Sequence, residues 1–265
     1  MNHAALMLGT SSSGSFPVGG GLLFHFDATI PTYMYTDAGT TLVSANGQRV
    51  YRWKSKNSVR YMDQSNTTYK PLYTTTGGQN GKSFLYFDGV NDVMSMAWET
   101  AFATNARSFF LIAQPVGTQG TTSYPFFFGM GNGTNGTQYY FSHSSAYYEF
   151  SQGSWTVDSV RSNTYVQDAF RMHIARSHSP FAPNGIKLRV TNTSGVSVDN
   201  SDSPPSGTVV YGSPSRVAFG ARPSGSSAHD FHGSFRVYEW GVYNRGISDA
   251  ETNLLTQYFR TKYNV

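Results

Sequence analysis

"GVYNRGISDAETNLLTQYFRTKY", residues 241–263, is the stretch on which the fold turns. Ser248 is followed three residues later by Glu251, the spacing of a capping box, in which each side chain satisfies a backbone N–H at the helix start. Asp249 and Glu251 lie where the helix dipole favours negative charge, and Arg260 and Lys262 where it favours positive charge. Leu254, Leu255, Tyr258 and Phe259 fall at i, i+1, i+4 and i+5, which predicts one apolar face. A short helix with one apolar face needs a surface to pack on, and almost everything before it reads as strand and turn.

The runs "GLLFHFDA" (21–28), "SFLYFDG" (83–89), "RSFFLIAQPV" (107–116), "FRMHIARS" (170–177), "IKLRVTN" (186–192) and "SFRVYEWGVYN" (234–244) are rich in aromatic and β-branched residues. Asn-Gly, Asp-Gly and Pro-containing turns separate them. Many short strands at regular intervals predict an all-β sandwich or barrel with one short C-terminal helix. Hydrophobic residues make up 38% of the 265, and aromatic ones 15%, enough to fill such an interior with rings. Only 13% are charged, so Ser, Thr, Asn and Gly must carry solvation.

The net charge of +4 arises from 19 Lys and Arg against only 15 Asp and Glu, a balance that predicts no nucleic-acid partner. The absence of cysteine excludes disulfides, zinc-thiolate sites and thiol nucleophiles. No run approaches the roughly 20 apolar residues of a membrane span. The opening "MNHAALMLGTSSSGSFPVGGG" lacks the basic and apolar regions of a signal peptide. Residues 1–20 therefore read as a flexible anchoring arm, with Leu6, Met7, Leu8 and Phe16 as its apolar contacts, and residues 21–265 as the sandwich domain.

The stretch "FHGSFRVYEWGVYNRGISDAETNLLTQYFRTKY" (231–263) resembles the ending of concanavalin A-like, or laminin-G-like, jelly-roll domains. "LLFHFDAT" (22–29) is similar to their opening strand and "GKSFLYFDGVNDVM" (81–94) to their Phe-Asp-Gly block. "RWKSKNS" (52–58) departs from the family, with Ser55 where relatives often carry Asp and Ser58 where they carry Gly. The resemblance implies the sandwich, an all-β, two-sheet antiparallel β-sandwich of the jelly-roll kind, and lectins, glycosidases, adhesion modules and phage virion proteins all use that fold.

Glycoside hydrolysis needs two carboxyl groups facing one another across a sugar. Among the four Glu (99, 149, 239 and 251) none has a second acid two residues away on the same strand, so the expectation is a non-enzyme. "GNGTNG" (131–136) and "TGGQNGKS" (76–83) imitate nucleotide loops, but strands follow both, which leaves them as turns. "HDFH" (229–232) reads as a loop. Asp88, Asn91 and Asp92 offer oxygens to calcium, though Asp-Gly also makes a turn unaided. No other cofactor is expected. Tyr147, Tyr148 and Trp155 flank a glycine turn, and strand alternation must aim some of them outward, which makes them candidate sugar platforms. The expectation is a multi-copy virion protein, made without a signal peptide and tethered to capsid or tail proteins by its arm, with host glycans as a further partner. The alternative is a carbohydrate-binding lectin-like module outside any virion.

Overall fold

The structure is a computed structural model and describes residues 16–97, 99, 107–117, 125–131, 139–152, 159–177, 185–202, 216–223 and 229–265. In chain order the first ten strands are β1 (Leu22–Asp27), β2 (Met34–Tyr35), β3 (Arg52–Lys54), β4 (Tyr61–Asp63), β5 (Leu72–Thr74), β6 (Phe84–Asp88), β7 (Met94–Ala97), β8 (Arg107–Pro115), β9 (Phe126–Gly131) and β10 (Tyr139–His143). There follow β11 (Tyr148–Gln152), β12 (Ser159–Ser162), β13 (Arg171–Ser177), β14 (Ile186–Thr191), β15 (Ser197–Asp202), β16 (Arg216–Phe219), β17 (Arg222–Pro223), β18 (His229–Asp230), β19 (Ser234–Tyr243) and the helix α1 (Asp249–Tyr263).

Two large antiparallel sheets form a sandwich. The first runs β15-β14-β13-β8-β19-β6-β5, with β1 also on β19, and the second runs β12-β11-β10-β9-β16-β7-β4-β3-β2. Between them lies one ring-rich core. Phe26 packs on Trp53 across the sheets at 5.2 Å, Trp240 on Phe219 at 4.9 Å, and Phe109 stacks on Phe128 at 5.2 Å. The two-sheet sandwich with one closing helix is as the sequence predicts.

The first sheet is apolar on both faces. Along β8, Phe109, Leu111 and Ala113 enter the central core, while Phe110 and Ile112 join a second cluster on the other side. Burial on both faces makes such a strand read as a continuous hydrophobic run rather than an alternation. The second cluster is sealed by α1. Its start is the expected capping box, Ser248 accepting from Glu251 N–H while Glu251 accepts from Ser248 N–H. Thr252, Leu255, Thr256, Phe259 and Tyr263 form its buried face. The expected face is thus rotated: Leu254 is 48% exposed, because the 3.6-residue period centres the stripe on Leu255, Phe259 and Tyr263 and leaves Leu254 beside it. Full burial of Leu255 and Phe259 contributes about 1.5–3 kcal/mol each. Phe16 and Val18 join this cluster, Phe16 packing at 5.3 Å against Tyr258 and 5.4 Å against Phe110.

β19 lies at the centre of the first sheet. β8 pairs along one edge, and β6 and then β1 share the other. Its register on β8 slips between Val237 and Glu239. Before the slip Phe235 and Val237 face the central core; after it Trp240 and Val242 do. A bulge of this kind places two successive residues on one face. Tyr238 and Glu239 consequently both point toward α1, and this positions the charged cluster described below.

Candidate functional site

The outer face of the second sheet carries a groove. Its floor is β7, whose outward residues Ser95 and Ala97 are small. Register places Asp63 of β4 beside Ser95, and Arg216 of β16 beside Ala97. Arg52 of β3 faces Asp63 and Lys54 faces Tyr61. One hollow of about 350 Å³ is lined by residues including Arg60, Tyr61, Asp63, Ser95 and Glu99. A second of about 500 Å³ shares Asp63 and Ser95 and continues past Tyr51, Gln64, Asn66 and Tyr69 to Arg216 and His229.

The groove's side chains are held in fixed positions. Arg52 donates to both oxygens of Asp63 at 2.8 and 2.7 Å, and its guanidinium lies 3.8 Å from the centre of the Tyr61 ring. Arg60 grips Glu99 through Nε at 2.9 Å and Nη2 at 2.6 Å. Burial, with Arg216 and His232 nearby, holds the His229 imidazole down to about 4, so it is neutral at pH 7 and accepts from Arg216 Nη1 at 3.3 Å. Tyr61 and Tyr69 stay 44% and 41% exposed. Partly exposed tyrosine rings, that of Tyr61 with one face against Arg52, beside a carboxylate, an amide and guanidinium groups suit a ligand with one apolar surface and many hydroxyls.

The opposite side of the sandwich holds a different cluster. His25 and Asp27 of β1 and Glu239 of β19 lie under α1, with ligand atoms within 4.8 Å of one another, the one such grouping among the described residues. A metal would have to displace an ammonium, because Lys262 Nζ is 2.7 Å from both Asp27 Oδ2 and Glu239 Oε1. Tyr263 Oη donates to Glu239 Oε1 at 2.7 Å, and His25 Nε2 lies 2.6 Å from Oε2. Lys56 Nζ reaches Asp27 Oδ2 at 3.0 Å. Burial pushes the Asp27 carboxyl up, but Lys262 and Lys56 outweigh it and hold the group down to about 2. Burial likewise works against the Lys262 ammonium, and the carboxylates Glu239 and Asp27 raise it above its ordinary range.

The residues singled out in the sequence separate in space. Tyr148 is fully buried, edge-on to His173 at 4.5 Å in the central core, and is corrected from a sugar platform to a core ring. Alternation puts its neighbour Tyr147 outside, half-buried, with Arg161 4.5 Å from its ring centre. Trp155 lies outside the described residues, as do Leu6, Met7, Leu8 and most of "GNGTNG". Asp88 Oδ1 accepts the backbone N–H groups of Val90, Asn91 and Asp92 at 2.8 to 3.2 Å, so it serves as a turn. Asp92 Oδ2 accepts from Asp88 N–H, and burial with the neighbouring Asp88 charge raises its carboxyl to about 7. "TGGQNGKS" forms a short 3-10 turn at Gln79–Gly81 and then β6. In "HDFH", Asp230 is taken by Arg222 at 2.7 and 2.6 Å, and His232 turns to the Asp92 carbonyl. Arg49, Arg52, Lys56 and Arg60 each pair with an acid from elsewhere in the chain, Asp92, Asp63, Asp27 and Glu99 in turn.

Sequence reasoning missed the groove. The signal was in "RYMD" (60–63), where Tyr61 and Asp63 flank the inward Met62, and in Arg52 and Lys54 on either side of the inward Trp53.

No protein-family profile and no curated protein matches this sequence. Solved structures do. The chain is similar in fold to Trypanosoma rangeli sialidase. Against that enzyme in complex with sialic acid the TM-score is 0.57 at 14% identity, over 92% of this chain and 34% of the sialidase. Against its complex with 2,3-difluoro-KDN the TM-score is 0.54 at 14% identity, over 97% of this chain and 36% of the other. The chain therefore spans about a third of that protein's length. The Ruminococcus gnavus IT-sialidase CBM40 bound to α2,6-sialyllactose gives only 0.43 at 10% identity, over 59% and 86%, too slight a likeness to support a reading. These comparisons name neither a concanavalin A-like lectin nor a virion protein; what they share with this chain is the β fold. They correct one expectation. The non-enzymatic reading does not stand, since the Trypanosoma rangeli sialidase that shares this fold over about a third of its length is an enzyme.

Proposed function

We propose that this chain is a carbohydrate-binding, lectin-like β-sandwich module whose ligand lies in the groove over β4, β7 and β16. The observation that carries the reading is the exposed Tyr61 ring, fixed by the Arg52 guanidinium that also orients Asp63. A pyranose ring stacks on such a platform by its apolar face, while its hydroxyls need planar acceptors and donors at the rim. Asp63, Gln64, Asn66, Arg216 and His229 supply them within the continuous hollow. Because Arg52 already holds both Tyr61 and Asp63, little side-chain freedom is lost when a sugar docks. A fold held in common with a sialidase solved with sialic acid supports the same reading. The virion setting draws no support from the groove or the comparisons.

A glycan array followed by titration calorimetry tests the proposal. Wild-type protein is expected to retain a subset of glycans, and Tyr61→Ala to lose them with its melting temperature unchanged. Retention of no glycan by the wild type, or equal binding by the variant, overturns it.

One observation favours a second reading. Asp63 and Glu99 line the same hollow, so the groove presents two carboxylates to a bound sugar. Free sugar released from a retained glycan, and lost in Asp63→Asn and Glu99→Gln, would add hydrolysis to binding. Retention with no release leaves a binding module.

A further inference from the structure

The cluster beneath α1 is more elaborate than a helix anchor requires. Every group that faces Asp27 is placed as an acyl-transfer site would place it. Lys262 Nζ lies 2.7 Å from Asp27 Oδ2, so the carboxyl carbon is one bond beyond contact. Glu239 Oε1 sits 2.7 Å from the same nitrogen and is oriented by Tyr263 Oη and His25 Nε2. Asp27 Oδ1, the oxygen not touched by an amine, accepts from Thr29 N–H at 3.0 Å and Thr29 Oγ1 at 2.6 Å. Lys56 Nζ stands 3.0 Å from Oδ2. Asp27 and Glu239 are fully buried, and Lys262 is 17% exposed.

We propose that Lys262 and Asp27 condense into an intramolecular amide that ties the last turn of α1 to β1. The resting pair is ammonium and carboxylate. Glu239 relays one proton from Lys262 Nζ to Asp27 Oδ2, which leaves an amine beside a carboxylic acid, and the freed lone pair attacks Asp27 Cγ. The N–C bond forms, and Oδ1 carries the developing charge between the two Thr29 donors, the arrangement that stabilises a tetrahedral intermediate. The Cγ–Oδ2 bond then breaks and Oδ2 departs as water. Two protons leave Nζ in all and both finish on Oδ2, relayed by Glu239, which ends as it began. Ammonium plus carboxylate gives amide plus water, so atoms and charge balance and no oxidant or cofactor enters.

Two physical effects drive the reaction forward. Fixed, contacting reactants reach effective molarities of about 10⁵–10⁸ M, far above that of water. Two buried charges, costly to desolvate, are replaced by one neutral amide.

Mass spectrometry of the purified full chain tests this. The wild type is expected to weigh one water less than its sequence, with a branched peptide joining the Asp27 segment to the Lys262 segment in the digest. Glu239→Gln and Lys262→Arg are expected at full sequence mass with linear peptides; arginine keeps the ion pair but is no nucleophile. Should either variant fail to fold, the wild-type digest alone decides. Linear Asp27 and Lys262 peptides in folded wild-type protein overturn the proposal. A branch at Lys56, or a water loss mapped to a succinimide at Asp88-Gly89, overturns it equally.

Discussion

The two outer faces of this sandwich are made from the same kinds of residue and put them to opposite use. On the first sheet, Asp27 and Glu239 lie beneath α1 in ion pairs with Lys56 and Lys262, with Tyr263 donating to Glu239. On the second, Arg52, Asp63, Tyr61 and Glu99 are also paired, yet they line an open groove. What differs is the cover. The first sheet is apolar on its outer side and must be sealed, and the seal desolvates whatever charge lies below. The second presents Ser95 and Ala97 in mid-face, so its charged residues stand as rims around a floor that solvent reaches. Inventory alone does not separate a structural cluster from a binding site; access does.

The sharpest way to break this contrast is to remove Lys262. Lys262→Ala strips Glu239 of its lysine and leaves Asp27 with Lys56 alone, and should cost about 3–5 kcal/mol in urea unfolding. Glycan retention by the remaining folded protein should be unchanged, because the groove lies on the other sheet. The converse test is Tyr61→Ala. Affinity measured by calorimetry should fall about tenfold, equivalent to about 1.4 kcal/mol, while the unfolding midpoint stays put.

Smaller effects sharpen the boundary between sealed and open. Asp92 has a folded pKa of about 7, above the ordinary carboxylate value. For an acid raised by folding, the stabilisation is full below the unfolded pKa and is lost as pH rises through the folded one. Stability should therefore decline from about pH 4 to about pH 7, and Asp92→Asn should flatten that slope in denaturant titrations across the window. The smallest effect belongs to the helix. Leu254→Ser should change stability by less than about 0.5 kcal/mol, whereas Leu255→Ser on the sealed side should cost several times more.

Much of the first face was legible in the chain. The capping box, the apolar period of 249–263 and the unbroken run of β8 each state a local rule, and neighbouring residues suffice to read it. The Asp27–Glu239 pair was not legible, because a search along single strands cannot see two acids brought opposite one another by strand pairing. The slip at Tyr238 was hidden for a related reason: a bulge inserts one residue into an otherwise regular alternation, and only the partner strand reveals it. The groove demanded three strands in register, and its aromatic platform, a lone Tyr61, drew less notice than the paired tyrosines at 147 and 148. Those two obey alternation as expected, one outside and one in the core.

The place of β19 bears on how the molecule comes into being. It is the central strand of its sheet, flanked by β8, β6 and β1, yet it is the last strand to be synthesised. Until it emerges, β1 and β8 have no partner between them, and the central core lacks Phe235, Val237, Trp240 and Val242. Pairings this distant in sequence close slowly, and unpaired edges are prone to aggregate meanwhile. On the ribosome, the nascent chain must therefore wait with β1 and one edge of β8 unpaired, so chaperone demand and yield should respond to mutations in 234–243 more sharply than the stability of the finished fold does.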